Sequence, residues 1–219
     1  MDQEKTALVV GATGLVGSCL LSLLLEDDFY TKVKVLARRK PETDHPKMEV
    51  IIHDFQDLQS IATCLKSDDV YCCLGTTRKK AGSKEAFYKV DFHYPLEIAK
   101  ITHQQGAVHF FLISSLGADV KSKIFYSRVK GEIEVAVSTI PFQSINIFRP
   151  SLLVGNRKEK RIGESMAKWL SYLLIFLFVG PFKKYRPIHA QTVAQGMLKI
   201  AKQELDGFYI FESEQIKRI

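Results

Sequence analysis

The sequence contains few cysteines, and their spacing matches no metal site or redox motif. Its four cysteines are Cys19, Cys64, Cys72 and Cys73, with no CxxC pair and no Cys/His ligand pattern among them. We interpret them as reduced, buried packing residues, with the adjacent Cys72 and Cys73 pointing to opposite faces of a strand. The histidines also lack metal-ligand spacing, so we expect no metal.

A long hydrophobic run and an export signal are also absent. Residues 169–182 are the one candidate for a membrane helix, and they fall short of the roughly 20 residues that such a helix needs. We expect a buried helix or a dimer face there, so the chain is a monomer or homodimer; contact with a membrane surface is the less favoured alternative. The N-terminus enters an apolar strand without a charged region followed by an apolar one, so we expect a cytoplasmic protein.

Length and charge narrow the class of protein further. A chain of 219 residues can form one α/β domain, so we expect a single domain over residues 1–219, with the substrate pocket built mainly from residues 151–219. The net charge is +7, but the basic residues are spread along the chain rather than packed in one block. We therefore expect a small-molecule substrate and no specific nucleic-acid partner.

Short apolar runs alternate with longer amphipathic ones, which predicts repeated βα units. The expected fold is α/β, a doubly wound Rossmann-type parallel sheet with helices on both faces. Strands are predicted over residues 6–10, 33–37, 49–53, 69–74, 108–114, 144–148 and 208–211. Helices are predicted over residues 15–25, 58–65, 85–104, 124–137, 164–179 and 191–202. Pro95 should kink or restart the third of these helices.

A glycine-rich turn lies between the first predicted strand and the first predicted helix. Gly11 permits a tight turn, Gly14 lets the backbone approach a pyrophosphate, and Gly17 lets helix and strand pack closely. The N-terminus of the helix favours the phosphate charge. The sequence therefore predicts a dinucleotide-binding turn made of Gly11, Thr13, Gly14, Leu15, Val16 and Gly17.

The residues after the next strands indicate which dinucleotide binds. NAD-specific folds usually place an acidic residue after the second strand, whereas this chain has Arg38 and Arg39, which suit the 2′-phosphate of NADP(H). The alternative is that both arginines are solvated surface residues. Asp54 and the Gly75-Thr76 pair also follow strands, where they can contact the adenosine half, although Asp54 is nearly as well explained as a turn residue.

A tyrosine and a lysine four residues apart follow the fifth predicted strand. Tyr126 and Lys130 share one helix face, and Ser114 and Ser115 end the strand before them. Tyrosine, with a reference pKa of about 10, is a poor base at neutral pH, and a nearby ammonium improves it. We predict Tyr126 as the acid/base, with Lys130 tuning it and holding the nicotinamide ribose, and Ser115, or else Ser114, bonding the substrate oxygen. The alternative is a chance surface pair.

With these residues in place, the chain resembles the short-chain dehydrogenase/reductase superfamily over essentially its whole length. The resemblance is to its atypical or extended branch, and within it to the Tat-interacting-protein-like oxidoreductases. It implies an NADPH-binding fold with Tyr126 and Lys130 as the active pair. The matching segments are residues 11–17, 36–40, 72–82, 114–119, 126–130 and 148–150.

The resemblance also implies a cofactor contact near Arg149-Pro150, beside Ser151 and Leu152. Many relatives carry an asparagine in the helix after the fourth strand as part of a proton relay, and this chain has Asp91 there. The full proton relay is therefore not carried over to this chain, although a water molecule could serve in place of the asparagine.

The expected function is that of an NADP(H)-dependent oxidoreductase, transferring a hydride to or from a small carbonyl or alcohol substrate. The alternative is an NADP(H)-binding regulatory or scaffold protein with little turnover, because function belongs to the site and not to the fold.

Overall fold

The structure is a computed structural model that describes residues 5–155 and 185–219. The predicted helix over residues 164–179 and the apolar stretch 169–182 lie outside the described residues. Within the two described ranges, no helix is long and apolar enough to cross a membrane.

Nine strands within the described residues form two parallel sheets. In chain order they are β1 (Thr6–Val10), β2 (Lys32–Ala37), β3 (Met48–Ile52), β4 (Asp69–Cys72), β5 (His109–Ile113), β6 (Ser144–Arg149), β7 (Leu153–Val154), β8 (Ile188–His189) and β9 (Gly207–Glu212). Seven of them make one sheet in the order β3-β2-β1-β4-β5-β6-β9, and β7 pairs with β8 in a small second sheet. Every pair of neighbours is parallel, so the strands of the main sheet share one carboxyl edge.

The helices agree with the sequence in part: one long predicted helix is divided, the predicted helix over residues 58–65 is a 3-10 helix, and the short helices over residues 78–81 and 213–216 were not predicted. They are α1 (Leu15–Glu26), a 3-10 helix (Leu58–Leu65), α2 (Arg78–Ala81), α3 (Lys84–Tyr88), a π-helical turn (Lys89–His93), α4 (Tyr94–Gln104), α5 (Phe125–Ser138), α6 (Ala190–Ala201) and α7 (Ser213–Ile216). The predicted helix over residues 85–104 is thus α3, the π-helical turn and α4. Pro95 lies in the first turn of α4, where its missing N–H costs little.

Two hydrophobic cores lie on opposite faces of the main sheet. Val9 of β1 faces one core together with Leu20 of α1 and Met197 of α6. Leu8, its neighbour along the strand, faces the other core together with Ile133 of α5. Helices therefore cover both faces, and the predicted doubly wound Rossmann-type fold is confirmed.

The cysteines only partly follow the prediction. All four are free, but Cys64 is exposed, and Cys19 and Cys73 are half-buried, so the expectation of four buried thiols is wrong. Cys72 and Cys73 do face opposite cores, as predicted. Burial raises the pKa of the Cys72 thiol to about 12 and also raises that of Cys73, so neither is a reactive thiolate at neutral pH.

A buried polar network lies at the amino edge of the sheet. The Asp69 carboxylate accepts hydrogen bonds from the Tyr30 hydroxyl and, at 2.6 Å, from His109 Nδ1, and it lies 3.4 Å from Lys5 Nζ. The hydroxyls of Tyr30 and Tyr71 are 2.7 Å apart. Burial, together with the Asp69 charge, raises the pKa of both tyrosines well above the ordinary value, so they stay neutral. This network ties together the starts of β1, β2, β4 and β5.

Replacing Asp69 with asparagine should destabilise the fold strongly, because it removes the carboxylate that the buried Tyr30 hydroxyl and His109 Nδ1 bond, although Lys5, which is half-buried, keeps its pair with Glu204. We expect the free energy of unfolding to fall by about 3 kcal/mol or more, measured by urea denaturation. Glu49→Gln is the control, since it breaks an exposed pair with Lys32 and should cost less than about 1 kcal/mol. Similar losses in the two variants would contradict the role given to the network.

Candidate active site

The glycine turn after β1 is closely packed against its neighbours. Gly11 has a φ of +86°, and a Cβ on it would lie 2.6 Å from the carbonyl oxygen of Cys73 at the end of β4. A Cβ on Gly17 would lie 2.2 Å from the carbonyl oxygen of Gly11. Only glycine fits either position. In addition, no side chain caps α1 and no acidic residue lies in its first turn, so its N–H groups suit a phosphate.

The other predicted residues of this turn fall into two groups. Thr13 and Gly14 are exposed at its tip. Val16 is buried in the core, so its side chain cannot face a ligand and its predicted contact has to come from the backbone. Leu15 is half-buried, and it packs against Gly155, directly after β7. The chain after β6 thus returns to the glycine turn.

The residues predicted for the adenosine half also lie at the carboxyl edge. Arg38 and Arg39 follow β2 and are exposed, and neither forms an ion pair with any other described residue. Asp54 follows β3 and is exposed as well. Its Oδ1 accepts a hydrogen bond from the N–H of Gln56 at 2.9 Å, which is the geometry of a turn-forming aspartate.

Helix α5 carries the predicted catalytic pair. Tyr126 lies in its first turn, is 40% exposed, and packs its ring against Phe87 with centroids 5.7 Å apart. Lys130 lies one turn further along and is 3% exposed. Its Nζ donates to the carbonyl of Ile113 at the end of β5, at 3.4 Å. The helix therefore presents an accessible phenol beside a buried ammonium.

The structure brings Lys130 to the Gly75-Thr76 turn after β4, which the sequence predicted to contact the adenosine half of the cofactor, whereas Lys130 was predicted to hold the nicotinamide ribose. A Cβ on Gly75 would lie 3.9 Å from Lys130 Nζ and 3.6 Å from Asp91 Oδ1. Asp91 Oδ1 itself lies 2.8 Å from Lys130 Nζ. The other carboxylate oxygen of Asp91 accepts a hydrogen bond from the N–H of Thr76 at 2.9 Å. Residues from β4, the π-helical turn and α5 thus meet at one point.

The protonation state of Lys130 follows from these contacts. Burial alone would lower the pKa of its ammonium, but the Asp91 carboxylate, with a smaller contribution from Tyr126, raises it above the ordinary value. Lys130 is therefore a cation throughout the neutral range.

The two serines that end β5 have different surroundings. The Ser114 hydroxyl donates a hydrogen bond to the Glu134 carboxylate. Ser115 Oγ is buried and has no hydrogen-bond partner in the described part of the chain. A buried hydroxyl without a partner is costly, so Ser115 has free capacity for a ligand while Ser114 does not.

Three features of the site escaped the sequence reasoning. Glu134 is buried and accepts hydrogen bonds from Arg149 Nη2, at 2.5 Å, and from Arg149 Nε, whose single N–H is shared between the two carboxylate oxygens at 3.0 and 3.1 Å. The Arg149 guanidinium is therefore directed at Glu134. The sequence did contain a signal for Glu134, because this residue continues the four-residue spacing of Tyr126 and Lys130 and therefore lies on the same face of α5. Next to this pair, the Pro150 carbonyl accepts the N–H of Leu116 at 3.0 Å.

Asp91 is the second feature, and Gly131 is the third. In the sequence, Asp91 was recognised only because many relatives carry an asparagine there. Its position is set by the π-helical turn, a distortion that is frequent at functional sites. A Cβ on Gly131 would lie 2.4 Å from the N of Val120, so this glycine lets the loop between β5 and α5 lie flat on the helix. No group of three or more metal-ligating side chains occurs in residues 5–155 and 185–219.

Comparison with known proteins decides the family. The model of the NAD dependent epimerase/dehydratase family matches residues 7–212. The chain belongs to this family. The epimerase/dehydratase family is an extended branch of the short-chain dehydrogenases/reductases, and its members bind a nicotinamide dinucleotide in a Rossmann fold. The resemblance stated from the sequence is therefore confirmed.

Individual relatives support the same assignment. Protein HTATIP2 of Rattus norvegicus is 38% identical over 170 residues, which are 76% of this chain and 70% of that protein. Protein FMP52, mitochondrial, of Eremothecium gossypii is 32% identical over 215 residues, 96% of this chain and 95% of that protein. The Bordetella bronchiseptica enzyme WbmH, solved in complex with NAD+, matches with a TM-score of 0.71 at 15% identity, over 96% of this chain and 76% of that one. This last match shows the fold alone.

The fungal relatives correct the expected location. The prediction of a cytoplasmic protein is contradicted, because several fungal members of the epimerase/dehydratase family similar to this chain are named mitochondrial. The prediction failed because it considered only a secretory signal, which concerns export. It does not distinguish the cytoplasm from an organelle.

The close approach at Gly17 is testable. In Gly17→Ala the new methyl group has to displace the backbone carbonyl of Gly11, so we expect the free energy of unfolding to fall by about 1–3 kcal/mol, measured by urea denaturation. Gly14→Ala is the matched control, because its Cβ would lie 3.2 Å from the same oxygen and should cost less. Equal losses would show that the turn is not packed as described.

Proposed function

We propose that this protein is an NADP(H)-dependent oxidoreductase that transfers a hydride to or from a small carbonyl or alcohol substrate. The observation that supports this most directly is the position of buried Lys130. It shares a helix face with Tyr126, and it lies against the Gly75-Thr76 turn at the edge of the sheet where the family binds its dinucleotide. The groups for acid/base chemistry and those for holding a cofactor therefore occupy one place.

The cofactor would be held by the carboxyl edge of the sheet. The glycine turn and the N-terminus of α1 take the pyrophosphate, and Arg38 and Arg39 take the 2′-phosphate through charge-assisted hydrogen bonds. Gly75 and Thr76 form the wall beside Lys130, whose ammonium donates to the nicotinamide ribose. Asp54 and Pro150 are further proposed contacts, Asp54 on the adenosine side and Pro150 near the end of β6.

The chemistry would divide between cofactor and protein. The bound nicotinamide supplies or accepts the hydride at the substrate carbon. In the reducing direction the Tyr126 hydroxyl gives its proton to the substrate oxygen, and in the oxidising direction it takes that proton back. The Ser115 hydroxyl, which lacks a partner within the described residues, donates a hydrogen bond to the same oxygen and orients it. The rest of the pocket is proposed to come from residues 151–219, in a single domain that is a monomer or homodimer.

The choice of NADP(H) can be tested at Arg38. Arg38→Asp should replace an attraction to the 2′-phosphate with a repulsion, so we expect NADPH affinity to fall about 10- to 100-fold while NADH affinity changes little. Isothermal titration calorimetry with both cofactors measures the difference.

The control for this experiment is Lys66→Asp, which makes the same change of charge on an exposed lysine just before β4, at the opposite edge of the sheet. It should leave both affinities unchanged. An unaltered NADPH affinity in Arg38→Asp would rule out the assignment of NADP through this residue.

The acid/base role can be tested by Tyr126→Phe. Phenylalanine keeps the ring contact with Phe87 and removes the hydroxyl, so turnover on a carbonyl substrate should fall about 10²- to 10⁴-fold with NADPH affinity retained. Nicotinamide absorbance across a panel of aldehydes and ketones measures turnover, and cofactor fluorescence measures binding.

Tyr88→Phe is a suitable control, because it removes a tyrosine hydroxyl of α3 that bonds Glu132. Full turnover in Tyr126→Phe would refute the catalytic assignment. If the wild-type protein binds NADPH stoichiometrically and oxidises it with no member of the panel, the regulatory or scaffold alternative is favoured instead.

A further inference from the structure

Asp91 is a buried acid that joins two parts of the site. It is 1% exposed and sits on the π-helical turn Lys89–His93, between α3 and α4. One oxygen lies 2.8 Å from Lys130 Nζ on α5, and the other accepts the N–H of Thr76 at 2.9 Å. Its carboxylate therefore fixes the catalytic helix to the turn after β4.

The groups that face Lys130 differ in what they offer an ammonium. From β4 comes the Cys72 thiol, whose pKa burial raises to about 12, and from β5 comes the carbonyl of Ile113. On α5 itself lies the phenol of Tyr126, one helical turn before Lys130. Asp91, from the π-helical turn, is the carboxylate within contact distance. It is the facing group that can offset the cost of burying the charge.

We propose that Asp91 is a positioning residue that keeps Lys130 protonated and holds its ammonium against the Gly75-Thr76 turn, where it meets the cofactor ribose. The inference rests on the proposed NADP(H) site for the identity of the ligand. The contact that fixes the charge, however, is formed by the chain itself. Many relatives carry an asparagine at this position as part of a proton relay. In this chain the aspartate instead positions Lys130.

An asparagine at position 91 could not perform this role. Its carbonyl oxygen could still accept the N–H of Thr76, but the amide is neutral and would present at best a dipole to Lys130. Burial would then act on the ammonium almost unopposed and lower its pKa. Lys130 would lose its proton at a lower pH, and a neutral amine binds ribose hydroxyls less strongly than a cation does.

The first measurement is made without any cofactor. NMR of the protein with isotope-labelled lysine, with the Lys130 signal assigned through its loss in Lys130→Met, follows the ionisation of this side chain. In the wild-type protein we expect Lys130 to titrate above an ordinary lysine at about pH 10.4, and in Asp91→Asn below it. If the midpoint is unchanged in Asp91→Asn, or lies below the ordinary value in the wild type, the proposal is wrong. The wild-type titration decides the matter even if the variant does not fold.

The second measurement links the charge to binding. NADPH affinity is measured by cofactor fluorescence from about pH 7 to 10 in the wild type and in Asp91→Asn. In the wild type the ammonium of Lys130 should stay protonated across this range, so Lys130 should cause no change in NADPH affinity. The affinity of Asp91→Asn should fall with each pH unit above the lowered pKa, by up to about tenfold if binding requires the cation. Parallel curves for the two proteins would contradict the proposal.

Asp69→Asn is the matched control, since Asp69 is also a buried carboxylate beside a lysine but lies at the opposite edge of the sheet. It should weaken the fold and leave the pH dependence of NADPH binding as in the wild type. If the wild type binds no NADPH at all, the proposed function fails, while the lysine titration still tests whether Asp91 controls the charge of Lys130. The two failures are therefore distinguishable.

Discussion

The packing of the glycine turn against the end of β4 is the constraint on which the site depends. β1 and β4 are neighbours at the centre of the sheet, where the strand order changes direction, and such a point opens a crevice at the carboxyl edge. The absence of a side chain at Gly11 lets the turn after β1 rest on the carbonyl of Cys73. This contact puts the glycine turn directly beside the Gly75-Thr76 turn. Any side chain at Gly11 would force the two turns apart.

Helix α5 then brings the proposed catalytic side chains to the edge that this packing creates. Tyr126, Lys130 and Glu134 follow one another at four-residue intervals and so lie on one face of the helix. Each has a different environment: the phenol is accessible, the ammonium is paired with Asp91, and the carboxylate binds Arg149 and the Ser114 hydroxyl. Ion pairs thus anchor the helix to the π-helical turn and to β6, and hydrogen bonds with Ile113 and Ser114 tie it to the end of β5. Such pairs add little net stability, and their value lies in fixing geometry.

The two edges of the sheet show how similar residues serve different purposes. At the amino edge, Asp69 is surrounded by Tyr30, His109 and Lys5, and its bonds are all made within the protein. At the carboxyl edge, the Ser115 hydroxyl is left without a partner within the described residues. The Asp69 carboxylate is satisfied, whereas His109 Nε2 beside it has, like Ser115 Oγ, no partner in the described part of the chain. A buried polar atom with free bonding capacity is a candidate for ligand contact. Each edge contains a buried aspartate, Asp69 at the amino edge and Asp91 at the carboxyl edge, and the two differ in the groups that surround them.

The sequence by itself determined the doubly wound sheet and the glycine turn. Apolar periodicity and the spacing of Gly11, Gly14 and Gly17 are local properties, and local patterns decide which segments become strands, helices and tight turns. Only the tertiary structure decided which buried groups meet. The Lys130–Asp91 pair joins residues 39 positions apart through a π-helical turn that no periodicity predicts, and the choice of Ser115 over Ser114 depends on Glu134 reaching one hydroxyl and not the other. Such contacts depend on how separate elements pack, and a single sequence records spacing along the chain but not distance across it.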